Sequence, residues 1–390
     1  MRSYLFKGAE VFAPEAKGCC DVLCVGPKVV ALGDLGGVCI PGMEVVDGRG
    51  LLLLPGFIDN HVHILGGGGE GGPATRTPEM PVEDPLTGGI TTVIGVLGTD
   101  DVTRSVASLV AKARGLWAEG ISAWVMVGSY QLPVATLTGS IRSDIALVEQ
   151  VIGVGEVALS DHRSSQPSLE ELLKIASAAR VGGMLKGFGG KVNVHMGDGP
   201  RGLSMLREAA QGTEIPVDQF IPTHVNRNPD LFREAVAFAL DGGVVDLTTS
   251  TTPQFLEEGE VKCSRGLKEM LHAGVDPSRI CFSSDGQGSL PVFDQGGRFK
   301  GLTVGRVTSL WEEVRDAVQE EGVPLETAVR VITSSPALFH RLPGKGFVAE
   351  GFDADLVLVD QDLRIRHVLS RGVMAVRDRE LLLKGTFSPR

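Results

Sequence analysis

Short apolar runs alternate with helix-like stretches through the middle of the chain, and this alternation constrains the fold more than any other feature. Thr91 to Val96, Ile121 to Val127, Glu156 to Leu159, Val192 to His195, Phe220 to His224, Val244 to Thr249 and Ile280 to Ser284 read as strands. One more precedes them, formed by the apolar run Leu51 to Leu54, a Pro55-Gly56 break and an extended segment up to His61. Val102 to Glu119 reads as a helix, with Val106, Leu109, Val110 and Ala113 at helical spacing and Gly120 as its stop. Ser168 to Ala179 reads as another, with Glu170 and Glu171 favourably placed in its first turn. This order of elements predicts an α/β fold, a (β/α)8 TIM-like barrel over residues 54–345.

The two chain ends have a different texture. Asp21 to Cys24 and Val29 to Leu32 flank Gly26-Pro27 in a hairpin-like pattern. Ala354 to Asp360 reads as a strand, and Val368 and Val373 to Val376 suggest more. We expect residues 1–53 and 346–390 to form one small β-sandwich domain, with the barrel inserted between them.

A chain of 390 residues with 43% hydrophobic content can bury a barrel core and a small module. Its net charge of −11 argues against nucleic acid or an anionic membrane as the main partner. No apolar run has the ~18 residues of a membrane span. The charged start Met1-Arg2-Ser3-Tyr4-Leu5-Phe6-Lys7 does not read as a signal peptide. Cys19, Cys20, Cys24, Cys39, Cys263 and Cys281 show neither a disulfide framework nor a Cys-x-x-Cys pair, so we expect reduced thiols and a cytoplasmic protein.

Chemistry concentrates where the predicted strands end. His61 and His63, at i and i+2, share one face of the first strand. The fourth strand carries Glu156, the fifth ends in His195, the sixth in His224 and the eighth in Asp285. The chain has 8 histidines, and half of them fall at these ends. Buried ionisable groups are costly unless paired or bound to a metal, and barrel active sites sit at the C-terminal strand ends. The set suits two Zn²⁺-like ions about 3.5–4 Å apart, although other divalent metals would fit. His162, His272, His340 and His367 are read as ordinary structural or surface residues.

This pattern resembles the amidohydrolase superfamily, with its His-x-His first strand, its carboxylate bridge on strand four and its later His, His and Asp ligands. Narrower motifs resemble the isoaspartyl (β-aspartyl) dipeptidase family: His61-Val62-His63 running into Gly66-Gly67-Gly68-Gly69-Glu70, Gly128-Ser129-Tyr130, Ser160-Asp161-His162-Arg163-Ser164, His195-Met196-Gly197-Asp198, Thr223-His224-Val225-Asn226-Arg227 and Ser283-Ser284-Asp285-Gly286. The chain departs from that family at strand four, where the usual carboxylated lysine is replaced by Glu156 and no lysine lies on the strand. Such a lysine carries its carboxylate further from the backbone than glutamate does. Glu156 can therefore bridge only if this strand, loosened by Gly153 and Gly155, runs close to the metals.

The resemblance implies hydrolysis of the isopeptide bond of β-aspartyl dipeptides. Such a substrate offers an α-ammonium and two carboxylates. Glu70 suits the ammonium, Arg163 and Arg227 suit the carboxylates through bidentate forks, and Thr99 and Ser289 add hydrogen bonds. Tyr130 would polarise the scissile carbonyl, a metal-bridging hydroxide would attack it, and Asp285 would shuttle the proton to the leaving amine. The expected partner is a small dipeptide, and the expected assembly a homo-oligomer. Alternatives are another amidohydrolase, such as an N-acetyl sugar-phosphate deacetylase (some of which use glutamate at this position) or a cyclic-amide hydrolase, and a non-catalytic scaffold.

Overall fold

The computed structural model describes residues 2–293 and 298–388; the outermost residues of the expected sandwich domain, 1 and 389–390, lie outside this range. Nineteen strands follow in order: β1 (Ser3–Phe12), β2 (Ala16–Val25), β3 (Lys28–Gly33), β4 (Glu44–Asp47), β5 (Leu52–Pro55), β6 (Phe57–Val62), β7 (Ile90–Gly95), β8 (Ser122–Val127), β9 (Val151–Leu159), β10 (Lys191–Met196), β11 (Phe220–Thr223), β12 (Val245–Thr248), β13 (Ile280–Ser283), β14 (Ser289–Phe293), β15 (Phe299–Val304), β16 (Leu356–Val359), β17 (Ile365–Ser370), β18 (Val373–Arg377) and β19 (Glu380–Leu381).

Strands β6 to β11 form one six-stranded parallel sheet in chain order, and β12 and β13 form a parallel pair. Backbone hydrogen bonds link the two sheets on both sides. Val225 N donates to Asp246 O on one side; on the other, Asp285 N donates to His61 O and His63 N to Gly286 O. Helices follow most of these strands. They cover outer faces made almost wholly of buried apolar residues, which is why the strands read as continuous apolar runs.

Several elements are longer or shorter than the sequence suggests, each for a local reason. The helix expected from Val102 begins at Val106, because Asp100 ties up the amides of Val102 and Thr103 and Ser105 takes the N-cap. It stops at Gly120, which adopts φ +115°. The helix expected to end at Ala179 continues to Lys186 through Gly182 and Gly183. A Cβ on Gly183 would lie 2.6 Å from Gly189 O, so glycine here permits close packing of helix and following loop. Strand β9 starts at Val151, its first half disguised by glycines.

Both chain ends enter one nine-stranded sheet, ordered β19-β18-β17-β16-β5-β1-β2-β3, with β4 paired to β1. It has its own core, including Tyr4, Phe6, Val11, Leu53, Leu356 and Leu358. The expected hairpin around Gly26-Pro27 is the β2–β3 pair. The join to the parallel strands is polar. Lys345, 3% exposed, donates to Ser122 Oγ on β8 at 2.7 Å and pairs with Asp353 and Asp355. Asp355 also accepts from the Arg371 amide, and its carbonyl accepts from Gly56 N. Lys345→Met is expected to leave Asp355 as an uncompensated buried charge and to cost about 3–5 kcal/mol in denaturant unfolding. An unchanged midpoint would show that the join does not depend on this pair.

Candidate metal centre and ligand pocket

At β6 the chain carries His61 and His63 to the C-terminal ends of the parallel strands, and the other candidate ligands meet them there. Glu156 is fully buried. Its Oε1 lies 3.4 Å from His61 Nε2, 3.3 Å from His195 Nδ1 and 3.6 Å from His224 Nε2; its Oε2 lies 3.9 Å from His63 Nε2. Asp285 Oδ1 lies 3.0 Å from His63 Nε2 and 3.8 Å from His61 Nε2. One carboxylate thus faces all four imidazoles, and a second closes the other side.

Local backbone geometry makes this convergence possible. On β9 the register with β10 slips by a residue between Val154 and Val157, so Gly155 and Glu156 form a bulge. A Cβ on Gly153 would lie 2.7 Å from Lys191 O, and one on Gly155 2.7 Å from Asn193 Cβ. The glycines let β9 run tightly against β10, and the bulge aims Glu156 into the cluster. His224 and Asp285 sit at φ +63° and +51°, a region non-glycine residues seldom adopt, so each side chain turns sharply out of its strand end. His224 Nδ1 is held 2.6 Å from Thr248 Oγ1, leaving Nε2 toward Glu156.

The electrostatics are those of a cation site. Burial raises the pKa of Glu156, but the charge of His61 and the close imidazoles of His195 and His224 outweigh it and hold the carboxyl well below its usual range. Asp285 is also depressed: burial opposes ionisation, and the close imidazole of His63 overcomes it. Burial would lower His61, yet the charge of Glu156 raises it to about 9; His224 is pushed down to about 3 chiefly by burial. Several buried polar atoms of the cluster lack a hydrogen-bond partner: both ring nitrogens of His61, Nδ1 of His63, Oε2 of Glu156 and Oδ1 of Asp285. Orphaned donors and acceptors are rare in protein interiors, and here they converge. The sets His61, His63, Asp285 and His61, Glu156, His224 each hold ligand atoms within 4.8 Å of one another. Mixed imidazole and carboxylate donors at this spacing fit divalent ions such as Zn²⁺.

The cluster opens into a cavity of about 530 Å³ whose wall includes His63, His195, His224 and Asp285. Glu70, Thr99, Tyr130, Arg163, Arg227 and Ser289 line the same cavity, so every candidate ligand-binding residue reaches it. Glu70 stands on the glycine loop, where a Cβ on Gly68 would lie 2.7 Å from Ser289 Cβ and one on Gly66 2.3 Å from Thr77 O. Thr99 Oγ1 donates to Glu70 at 2.9 Å, and Arg163 Nη1 faces Glu70 at 3.4 Å. Tyr130 is buried, with its hydroxyl 2.6 Å from His195 Nδ1 and the Arg163 guanidinium 5.2 Å from its ring. Burial, aided by the charge of Glu156, raises its pKa well above the usual value, so it stays a hydroxyl donor.

Sequence reasoning missed several contributors. Arg104, 4% exposed, threads the glycine loop and donates to the carbonyls of Leu65, Gly67 and Gly68. Asp161, within the segment Ser160-Asp161-His162-Arg163-Ser164, contacts both His195 and Arg163, a role its sequence position does not signal. Hydrogen bonds from both groups hold it below the usual carboxylate range against the effect of burial. The β14–β15 hairpin, which brings Ser289, Leu290 and Pro291 to the cavity, has no clear sequence signal. Glu260, pushed up to about 7 mainly by burial, also lines the wall. The four histidines read as ordinary residues lie outside the cluster. His162 and His272 are exposed, His340 bonds Asn60 at 2.8 Å, and His367 Nδ1 accepts from the Asp378 amide.

Among the described residues, no lysine lines the cavity. Lys186 Nζ is saturated by the carbonyls of Ile145, Val148 and Glu149, and Lys191 Nζ is turned to Asp218. Metal-free protein is therefore expected to regain full metal content and activity with Zn²⁺ alone. A requirement for bicarbonate would instead place a modified lysine between the ions. Glu156→Gln keeps the shape and removes the charge, and is expected to lower metal affinity in equilibrium dialysis.

Comparison with known proteins adds an independent line. The model of the amidohydrolase family matches residues 52–376. A crystal structure of β-aspartyl dipeptidase from Fervidobacterium islandicum AW-1, in complex with β-Asp-Leu dipeptide, is 45% identical, with a TM-score of 0.89 over 97% of this chain and 98% of that one. Dihydropyrimidinase from Brevibacillus agri NCHU1002, at 17% identity and a TM-score of 0.67 over 98% of this chain and 97% of that one, shares the fold. Among curated relatives, adenine deaminase of Listeria innocua is 24% identical over 86% of this chain and 51% of its own length. The chain thus spans about half the length of the first of the curated relatives it matches.

Proposed function

The chain belongs to the amidohydrolase family, whose fold is of the TIM-barrel type, and from that premise we propose that it is a metal-dependent dipeptidase acting on β-aspartyl (isoaspartyl) dipeptides. The supporting observation is the pairing of Glu70 and Arg163, 3.4 Å apart, beside the buried cluster of four imidazoles and two carboxylates. Opposite charges held side by side suit an amino-acid zwitterion, and a β-linked aspartate presents its α-ammonium and α-carboxylate together. The near-full-length likeness to an enzyme solved with β-Asp-Leu supports the same substrate class. The architecture we propose is a closed eight-stranded barrel over residues 54–345, with a small β-sandwich from residues 1–53 and 346–390.

His61, His63, Glu156, His195, His224 and Asp285 would hold two divalent ions. When bound, the metals supply Lewis acidity that polarises a carbonyl and lowers the pKa of water at the site. The protein's own groups do the rest. Glu70 takes the α-ammonium, with Thr99 holding its carboxylate in place. Arg163 and Arg227 take carboxylates of the substrate, and Ser289 adds a hydrogen bond from the glycine-loop side. Tyr130 donates its hydroxyl to the scissile carbonyl oxygen, where charge develops as the tetrahedral centre forms. Asp285 accepts the proton of the attacking water and returns it to the leaving amine.

The decisive assay sets β-Asp-Leu beside α-Asp-Leu, an N-acetyl sugar phosphate and dihydroorotate. Turnover confined to β-Asp-Leu is expected, and preference for either of the last two would replace this reading with a deacetylase or a cyclic-amide hydrolase. Metal analysis is expected to find close to two ions per chain, and His61→Ala to lose metal and activity together. Glu70→Gln should reduce kcat/KM on β-Asp-Leu much more than it changes metal content. An N-acetylated β-Asp peptide should be a poor substrate, and its cleavage at the wild-type rate would remove Glu70 from the assigned role. Arg227→Met is expected to weaken substrate binding by roughly 2–5 kcal/mol.

A further inference from the structure

One carboxylate beside the cavity touches both halves of the site and belongs to neither set of assigned residues. Asp161 lies in the turn after β9 and is 8% exposed. Its Oδ1 accepts from the Arg163 amide at 2.7 Å and from Arg163 Nε at 3.0 Å. Its Oδ2 accepts from Arg163 Nη2 at 2.8 Å and faces His195 Nε2 at 3.0 Å. One carboxylate therefore grips the guanidinium by a two-pronged fork and, through the same oxygen, meets an imidazole of the metal cluster.

An ionised carboxylate only accepts hydrogen bonds. The His195 nitrogen that faces Asp161 at 3.0 Å therefore carries the proton, the donor Arg163 Nη2 standing further off at 3.5 Å, and in the neutral ring the lone pair is left at Nδ1. That nitrogen lies 3.3 Å from Glu156 Oε1, on the side where the cluster converges. The fork has a parallel effect on Arg163. With Nε and Nη2 committed to Asp161, the plane of the guanidinium is set, and Nη1 is the end turned toward Glu70. The backbone of the turn is secured separately, because Asp161 O accepts from the Ser164 amide at 3.1 Å and from Gln166 Nε2 at 2.9 Å. The carbonyl thus makes two of the bonds that close the turn, and the carboxylate adds one more, to the Arg163 amide.

We propose that Asp161 is a positioning residue that ties metal retention to substrate recognition, fixing the Nε2–H tautomer of His195 and the orientation of Arg163 with a single carboxylate. This rests on the reading of His195 as a metal ligand and of Arg163 as a substrate contact. Partners that orient a metal-bound histidine typically contribute ten- to a hundred-fold in metal affinity. Here the same group also sets a binding arginine, so its loss should be read at both ends of the pocket.

Asp161→Asn separates this from a purely structural role. The amide would turn its oxygen to the Arg163 amide and Nε, and its NH2 to His195 Nε2 and Arg163 Nη2. It would then donate to His195 and favour the Nδ1–H tautomer, whose lone pair points away from the cluster, and it would oppose Nη2 donor to donor. Nitrogen NMR of ¹⁵N-histidine-labelled, metal-free, full-length protein, at a pH where the ring is neutral, is expected to show Nε2–H for His195 in the wild type and a switch to Nδ1–H in the variant. Chelator competition should show roughly ten- to a hundred-fold weaker metal binding. At saturating metal, KM for β-Asp-Leu should rise more than kcat falls. Wild-type metal affinity in the variant, or an unchanged KM at saturating metal, overturns the proposal. If the variant does not fold, the wild-type tautomer decides: Nε2–H supports the proposal and Nδ1–H overturns it. A wild type that leaves β-Asp-Leu intact removes the dipeptidase reading instead, while the tautomer and metal measurements still decide the link between Asp161 and His195.

Discussion

The arrangement at the strand ends depends on a single buried charge. Glu156 is shut away from water, and a carboxylate in that position must be matched by positive charge or hydrogen-bond donors. Four imidazoles from three other strand ends supply that match, each within 4 Å of a Glu156 oxygen. Electrostatic need therefore draws β6, β10 and β11 toward a common point above β9. The bulge and the flanking glycines on β9 make this geometrically possible, since a side chain at Gly153 or Gly155 would collide with β10 before Glu156 could reach the cluster.

A second polar layer holds the strands that bear these ligands. Asp246, on β12, is fully buried and accepts from Asn60 Nδ2 at 3.1 Å and Ser283 Oγ at 2.6 Å; Thr223 and Cys281 also donate to it. Asn60 is the neighbour of His61, and Thr223 the neighbour of His224. Asp59 receives the amide and hydroxyl of Ser284, the neighbour of Asp285. Burial raises the pKa of both acids, Asp59 to about 7, so neither is a free gain in stability. What they provide is registration: the residues beside three candidate ligands are tied to carboxylates on other strands. Bonded networks of this kind fix geometry where apolar packing alone would allow sliding.

The legible part of this molecule is the part governed by local pattern. Alternating apolar runs and helical spacing placed the parallel strands, because their outer faces are covered by helices and their residues must be apolar. His61, His63, His195, His224 and Asp285 stood out because histidines are few and these fall where runs end. Boundaries failed where a packing contact overrode a local signal. The helix read to Ala179 runs on to Lys186 through Gly182, which lies against Ile145, and Gly183, which lies against the loop at Gly189. Arg104 was invisible because its partners are backbone carbonyls of a loop far away in sequence. The β14–β15 hairpin was missed because its strands, Ser289–Phe293 and Phe299–Val304, mix apolar residues with Pro291, Lys300 and Gly301.

A glutamate, where the family resemblance implies a carboxylated lysine, places a demand on the backbone. The shorter side chain reaches the cluster only where the strand delivers it. In this chain the burden falls on β9. The strand gives up side chains at Gly153 and Gly155, accepts a register slip, and gains a permanent negative charge that needs no chemical modification. The cost is adaptability, since this bulge-mounted side chain has fewer rotatable bonds than a lysine with which to follow a shift of its partners. The imidazoles cannot readily compensate, because His224 is fixed by Thr248 and by its own backbone, and His195 faces Asp161. A site built this way is preorganised from the strand outward, and its geometry is written in glycine positions as much as in the ligands themselves.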